Sequence, residues 1–245
     1  QAAGTLFAKQ DKLKLVTQCD TRSDRYEQAV ITEYLTYRLL NLFTEFSYRV
    51  RLVDIRYVFT DSGRKIESYA FLIENDKRLS KRLGHELIKA PELDIAELAP
   101  EYTNLVSVFQ YLIGNTDFSP IAAAENEECC HNHTPFSADG EVYYSIPYDF
   151  DQCGLVDIPH AAPNDRFRLR SVRQRLYRGR CANNTLLLAT LEQLRNKRAE
   201  VEALIANQAE LSRITRRKTE KYVASFYKII NDPKAVQKLL FKKCI

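Results

Sequence analysis

Within the first 75 residues the spacing of apolar side chains changes twice, and this pattern limits the fold more than any other feature. Leu13-Lys-Leu-Val16 alternates as a short strand does. Ser23 or Asp24 can then cap a helix, with Glu27 in its first turn. The apolar set Tyr26, Val30, Ile31, Tyr34, Leu35, Tyr37, Leu39 and Leu42 has helical spacing, predicting a helix that runs to about residue 42. Segments 49–59 and 66–74 return to strand character on either side of Asp61-Ser-Gly63, a hairpin turn. Strand, helix and hairpin in that order predict an α+β fold with a small N-terminal lobe over residues 1–75.

The remainder reads as a larger, mainly helical lobe over residues 76–245. A short charged helix or connector is expected at 76–83 and a Pro-bearing loop at 90–93. A second apolar helix over 102–113 would be stopped by Gly114. Segment 115–139 is polar and reads as irregular, 141–146 as a strand, and 152–183 as loop. Two long helices are predicted at about 184–207 and 210–230, with Asn231-Asp-Pro233 breaking the second. Residues 184–245 carry 13 Lys/Arg against 6 Asp/Glu, in a chain whose net charge is +4. Those basic helices lack the aromatic interleaving of single-stranded nucleic-acid platforms, so solvated faces are expected and nucleic acid is not. No run of 18 apolar residues occurs, so no membrane span is expected. The chain has no Met even at position 1, which suggests a processed or trimmed product. The six cysteines, an even number, favour an exported protein, periplasmic or extracellular, with some disulfides. The adjacent pair Cys129-Cys130 is not expected to bond to itself without strain.

Chemistry concentrates at a few positions. Segment 143–151, Tyr-Tyr-Ser-Ile-Pro-Tyr-Asp-Phe-Asp, reads as a strand ending in two carboxylates. Alternation would put Asp149 and Asp151 on one face and Phe150 on the other. Paired acids repel unless a cation sits between them, and Mg²⁺ accepts one or two carboxylates plus phosphate oxygens. Asp117, in the loop after an apolar helix, is placed to take a proton from a hydroxyl. Asn132 offers an amide oxygen as a further metal ligand. Cys129, Cys130, His131 and His133 are all zinc-ligand types, but they stand too close together to wrap one tetrahedral ion. Lys14 on the first strand could pair with Glu33 in the helix, or with Glu27.

The order Lys, helical Glu, hairpin, connector, helix, Asp, Asn, strand, Asp resembles the bacterial CotH-like spore-coat kinases and the secretory-pathway atypical kinases. Lys12-Leu-Lys-Leu-Val16, Glu33-Tyr-Leu-Thr-Tyr-Arg38, Ile113-Gly-Asn-Thr-Asp117, His131-Asn132 and Ile146-Pro-Tyr-Asp-Phe-Asp151 carry the resemblance, over roughly residues 5–180. It implies a kinase-like two-lobe fold and an ATP- and metal-dependent phosphotransferase using Mg or Mn. Lys14 would contact the nucleotide phosphates and Glu33 would hold Lys14. Glu74 would lie near the hinge that meets the adenine. Asp117 would be the catalytic base, and Asn132, Asp149 and Asp151 would face the metal. The phospho-acceptor, whether protein, sugar or small molecule, stays open. The chain departs from the kinase pattern in three places. No Gly-rich loop precedes Lys14, Asp-Phe-Asp replaces Asp-Phe-Gly, and 15 residues separate Asp117 from Asn132. The first departure fits a truncated small lobe. It equally fits the alternative, a catalytically inactive kinase-like scaffold that acts as an envelope or coat interaction protein.

Overall fold

The structure, a computed structural model, describes residues 12–124 and 127–245, together with Gly4 and Ala8. Strand β1 (Lys14–Val16) leads to helix α1 (Asp24–Asn41) and then to the hairpin of β2 (Val50–Val58) and β3 (Lys65–Ile73). These strands form one antiparallel sheet in the order β1-β3-β2, with register Val50↔Ile73 through Val58↔Lys65. Gly63 closes the hairpin at φ 66°, a left-handed conformation that suits glycine. The mixed α+β class and this strand–helix–hairpin order match the expectation.

Helix α1 begins where expected, because the Ser23 side chain accepts from the Arg25 N–H. Glu27 does not complete a capping box and instead accepts from the Tyr69 N–H of β3 at 3.0 Å. The helix is buried on nearly every side, and residues 29–37 are all buried. Its polar members are satisfied internally: Thr32 and Thr36 donate to the carbonyls of Gln28 and Thr32.

Beyond β3 come α2 (Asp76–Leu83), the two-residue β4 (Glu86–Leu87), α3 (Pro100–Ile113), β5 (His133–Ser137) and β6 (Tyr144–Pro147). Strands β4-β5-β6 make a second antiparallel sheet. Strand β5 falls in the segment read as irregular, where Pro135 obscures it. The Pro135 carbonyl accepts from the Ile88 N–H, so its missing donor faces β4, which has already ended at Leu87. The proline therefore costs at most a bond at the frayed end of an edge strand.

Helices α4 (Asn184–Asn196), α5 (Arg198–Ala206), α6 (Arg213–Ile230) and α7 (Pro233–Leu239) finish the chain. The single helix expected at 184–207 is broken at Lys197, where ψ rises to 3° with no Gly or Pro to signal it. Part of the basic surplus is neutralised along the helices by the pairs Arg195–Glu192, Lys197–Glu200 and Arg198–Glu202. Among the described residues, no helix is long and apolar enough to cross a membrane.

A single apolar cluster runs from α1 and β3 through α3 into α4–α7. Residue 75 therefore marks a change of architecture, and the core continues across it. The connector at that point is pinned electrostatically. The Arg82 guanidinium takes both oxygens of Glu74 at 3.0 and 2.8 Å and also donates to the carbonyls of Glu45 and Ser47. Both side chains are largely buried, 16% and 11% exposed. Arg82→Ala would strand the Glu74 carboxylate, and a loss of ~3–5 kcal/mol is expected in urea unfolding. The double variant with Glu74→Ala should recover part of it.

Candidate functional site

Helix α3 delivers Asp117. The helix ends at Gly114, whose φ of 68° and lack of a Cβ are both needed, because a methyl there would collide with the Tyr222 hydroxyl. The next residue, Asn115, accepts the Asp117 N–H at 2.9 Å and fixes the turn. The Asp117 carboxylate is then gripped from two sides. His131 Nε2 lies 2.9 Å from one oxygen, and Asn132 Nδ2 lies 3.2 Å from the other. Asn132 Nδ2 also donates to the Asp117 main-chain carbonyl at 2.8 Å. Only this amide orientation satisfies both acceptors. It leaves Asn132 Oδ1 with no protein donor among the described residues. The 15-residue interval between Asp117 and Asn132 is thus closed by direct contact.

Strand β6 and helix α1 deliver the Asp-Phe-Asp turn. The strand stops at Pro147, and Asp149 lies at φ 60°, so strand alternation does not place its side chain. The expectation from alternation is corrected: Asp149 and Asp151 lie in a turn beyond the strand, close enough for the Asp151 charge to act on Asp149. Two side chains one turn apart on α1 hold this turn. The Tyr37 hydroxyl accepts the Asp149 N–H at 2.8 Å, and the Glu33 carboxylate accepts the Phe150 N–H at 3.3 Å. Phe150 is wholly buried, edge-on to Tyr37 and Phe109. Asn132 also adopts left-handed φ (55°), and its carbonyl accepts the Tyr148 N–H at 2.9 Å. Asn and Asp tolerate this region better than other side-chain-bearing residues, and strain of this kind gathers at functional sites.

The electrostatics are those of an under-neutralised acidic cluster. Burial pushes the Asp149 carboxyl up, the Asp151 charge adds to this, and Asp117 contributes; Lys14 and His131 oppose it. Burial likewise pushes Glu33 up to about 8, reinforced by Asp149 and Asp151 and opposed by the Phe150 N–H and Lys14. Glu33 is therefore neutral at pH 7, and its folded-state pKa lies above the unfolded one. The stability this confers is full below about pH 4.5 and drains away as pH rises through about 8. Glu33→Gln keeps the acceptor for Phe150 and removes the ionisation. The variant is expected to be more stable than the parent by roughly 2–4 kcal/mol at pH 9, and about equal to it at pH 4.5, by urea unfolding.

Lys14 does not pair with Glu33 or with Glu27. Its ammonium lies 5.0 Å from the centre of the Tyr148 ring, and among the described residues it makes no ion pair. Glu33 lies too deep for it, 4% exposed beneath the turn it supports. Lys14 borders a cavity of about 220 Å³ shared with Tyr48, Ile73, Asn75, Thr134 and Tyr148. Glu74 lines the same cavity, but its carboxylate is committed to Arg82 and to the Arg49 N–H. Any contact it makes to a base there would come from its main chain.

The zinc alternative finds no support. Cys129 and Cys130 form a disulfide with each other, and disulfide sulfurs are not thiolate ligands. His133 is buried against Phe118 with Nδ1 at Ser145, and burial holds its imidazole neutral, pushed down to about 3. Among the described residues no group of three or more His, Cys, Asp or Glu side chains is arranged around one metal position. A magnesium-type site does not need one, since water and phosphate complete its shell. Asn132 Oδ1, which accepts from no protein donor among the described residues, and the Asp149 carboxylate, which burial and the Asp151 charge push up, are oxygen donors of the kind such a site uses. Sequence reasoning gave no role to Tyr37, Tyr148 or Arg178. Tyr37 and Tyr148 carry ordinary core and strand patterns, and Arg178 lies in a loop with many arginines, so no spacing singles them out. No family model, curated protein or solved structure matches the chain.

Proposed function

We propose that this protein is an ATP- and metal-dependent phosphotransferase with a kinase-like two-lobe arrangement. One observation carries the reading. Lys14, Asp117, Asn132, Asp149 and Asp151, five residues from four separate parts of the chain, influence one another electrostatically or touch beside a cavity bounded by β1 and the connector. That cavity suits a heteroaromatic base better than a whole nucleotide, so the phosphates would pass Lys14 on the way to Asp149. Lys14 supplies the positive charge for them. Asn132 and Asp149, with Asp151 close by, would hold Mg²⁺ or Mn²⁺. The ion's contribution, when bound, is to neutralise charge on the phosphates.

The chain's own groups account for the remaining chemistry. Asp117 is held by His131 and Asn132 so that its carboxylate cannot turn away from an incoming hydroxyl. The acceptor oxygen bonds to the γ-phosphorus as the bond to the β–γ bridging oxygen breaks. The acceptor proton passes to Asp117, and ADP departs. Tyr37 and Glu33 fix the turn bearing Asp149, so orientation is set before substrate arrives. The disulfides Cys129–Cys130 and Cys181–Cys244 support an oxidising compartment, periplasmic or extracellular.

A non-catalytic kinase-like scaffold is the second reading, and the absence of a Lys14–Glu33 pair favours it. Titration with ATP and Mn²⁺, followed by thermal unfolding, separates the two. A saturable rise in Tm is expected for the enzyme. An unchanged Tm would leave the scaffold.

A further inference from the structure

A second cavity, of about 490 Å³, borders Asp117 and is not lined by Lys14. Its lining includes the apolar Phe118, Ile121 and Phe167, the charged Arg166 and Arg178, and His131 beside Asp117. Arg178 is fixed before any ligand arrives. One of its nitrogens donates to the carbonyls of Thr116 and Phe118 at 3.2 and 2.8 Å, on either side of Asp117. Its guanidinium lies over two rings, 4.4 Å from the centre of Phe118 and 4.8 Å from that of Phe167. Neither Arg166 nor Arg178 is within ion-pair distance of a carboxylate among the described residues. Burial pushes Arg178 down to about 10, and the Arg166 charge adds to this while Asp117 opposes it. Two neighbouring guanidiniums, one immobilised and partly dry, thus line a cavity whose one acidic lining residue, Asp117, is bonded to His131 and Asn132 rather than to them. Such an arrangement is costly unless an anion completes it. Guanidinium donors suit a carboxylate or phosphate, which they can take bidentately.

We propose that this cavity seats the phospho-acceptor, and that the acceptor carries an anionic group beside its hydroxyl. The anion meets Arg166 and Arg178, the intervening carbons lie on Phe118 and Ile121, and the hydroxyl reaches Asp117. A hydroxyl flanked by carboxylates can be a serine or threonine in an acidic peptide or a free hydroxy acid, and the two share this recognition. The acceptor role rests on the phosphotransferase reading; the anion site does not.

The test uses the full chain without nucleotide and a short fluorescein-labelled peptide bearing one serine among glutamates. The same peptide with glutamines is the control, and free glycerate is the competitor. Anisotropy should show the glutamate peptide binding at least about tenfold more tightly than the glutamine peptide. Arg166→Glu, at an exposed position, should abolish that preference. Displacement by glycerate would assign the site to free hydroxy acids, and its failure to displace would assign it to peptides. Equal binding of both peptides, or an Arg166→Glu chain with the parent's preference, would overturn the proposal. The Mn²⁺–ATP rise in Tm should be the same in Arg166→Glu as in the parent. Losing that rise instead would make the arginines part of the nucleotide site and would also overturn the proposal. Were the parent to show no Mn²⁺–ATP rise but still prefer the acidic peptide, the phosphotransferase reading would fall and the anion site would stand.

Discussion

Asp117→Asn is expected to lower phosphotransfer by about 10²–10⁴-fold, the usual worth of a positioned general base. The change keeps an oxygen for His131 and forfeits the long 3.2 Å bond from Asn132 Nδ2, which retains its 2.8 Å bond to the main-chain carbonyl of position 117, so the loop should hold its shape. The two roles of Asp117 can therefore be told apart. If it acts as base, kcat falls while the rise in Tm with Mn²⁺–ATP persists, because neither Lys14 nor Asp149 has been touched. If Asp117 only secures the loop, activity and nucleotide binding should decline together and modestly. Steady-state kinetics with an acidic peptide, run beside thermal unfolding, would distinguish these results. An Asn variant with the parent's kcat would remove Asp117 from the mechanism.

Asp149→Asn should have an effect of a different kind. Ligand at 100 times Kd stabilises a protein by about 2.7 kcal/mol. The parent should show a gain of that order with Mn²⁺–ATP, and the variant should lose most of it. Without ligand, the variant should equal or exceed the parent in stability at neutral pH. The substitution removes a buried charge that repels Asp151 and that burial already disfavours. A variant that is destabilised without ligand yet still binds Mn²⁺–ATP would show Asp149 to be a structural residue.

Much of the fold could be read from spacing. Helix α1, the β2–β3 hairpin, α2, and α3 with its glycine stop all follow from local periodicity and turn chemistry. Strand β5 does not, because Pro135 suppresses the strand signal and only the early end of β4 makes the proline harmless. The break at Lys197 has no local cause in composition either. The site residues could be identified by type and order, but their bonds could not. Asp117 and Asn132 meet across an intervening loop whose path no spacing rule gives. Lys14 and Glu33 do not meet, since nothing in the sequence shows that α1 is buried all round and that Glu33 lies beneath the turn. The cavity-lining Arg166 and Arg178 were invisible for a similar reason. Their lack of acidic partners is a property of three-dimensional surroundings.

The left-handed backbone at Asn132 and Asp149 has an evolutionary consequence. Such positions readily accept only asparagine, aspartate and glycine. Aspartate and asparagine codons differ by a single base, a purine exchange at the first position. A lineage can therefore switch the charge of this turn on or off in one mutational step, with the backbone geometry and the core beneath it preserved. Charged and uncharged forms of the same scaffold could therefore descend from one another without passing through an unfolded intermediate sequence.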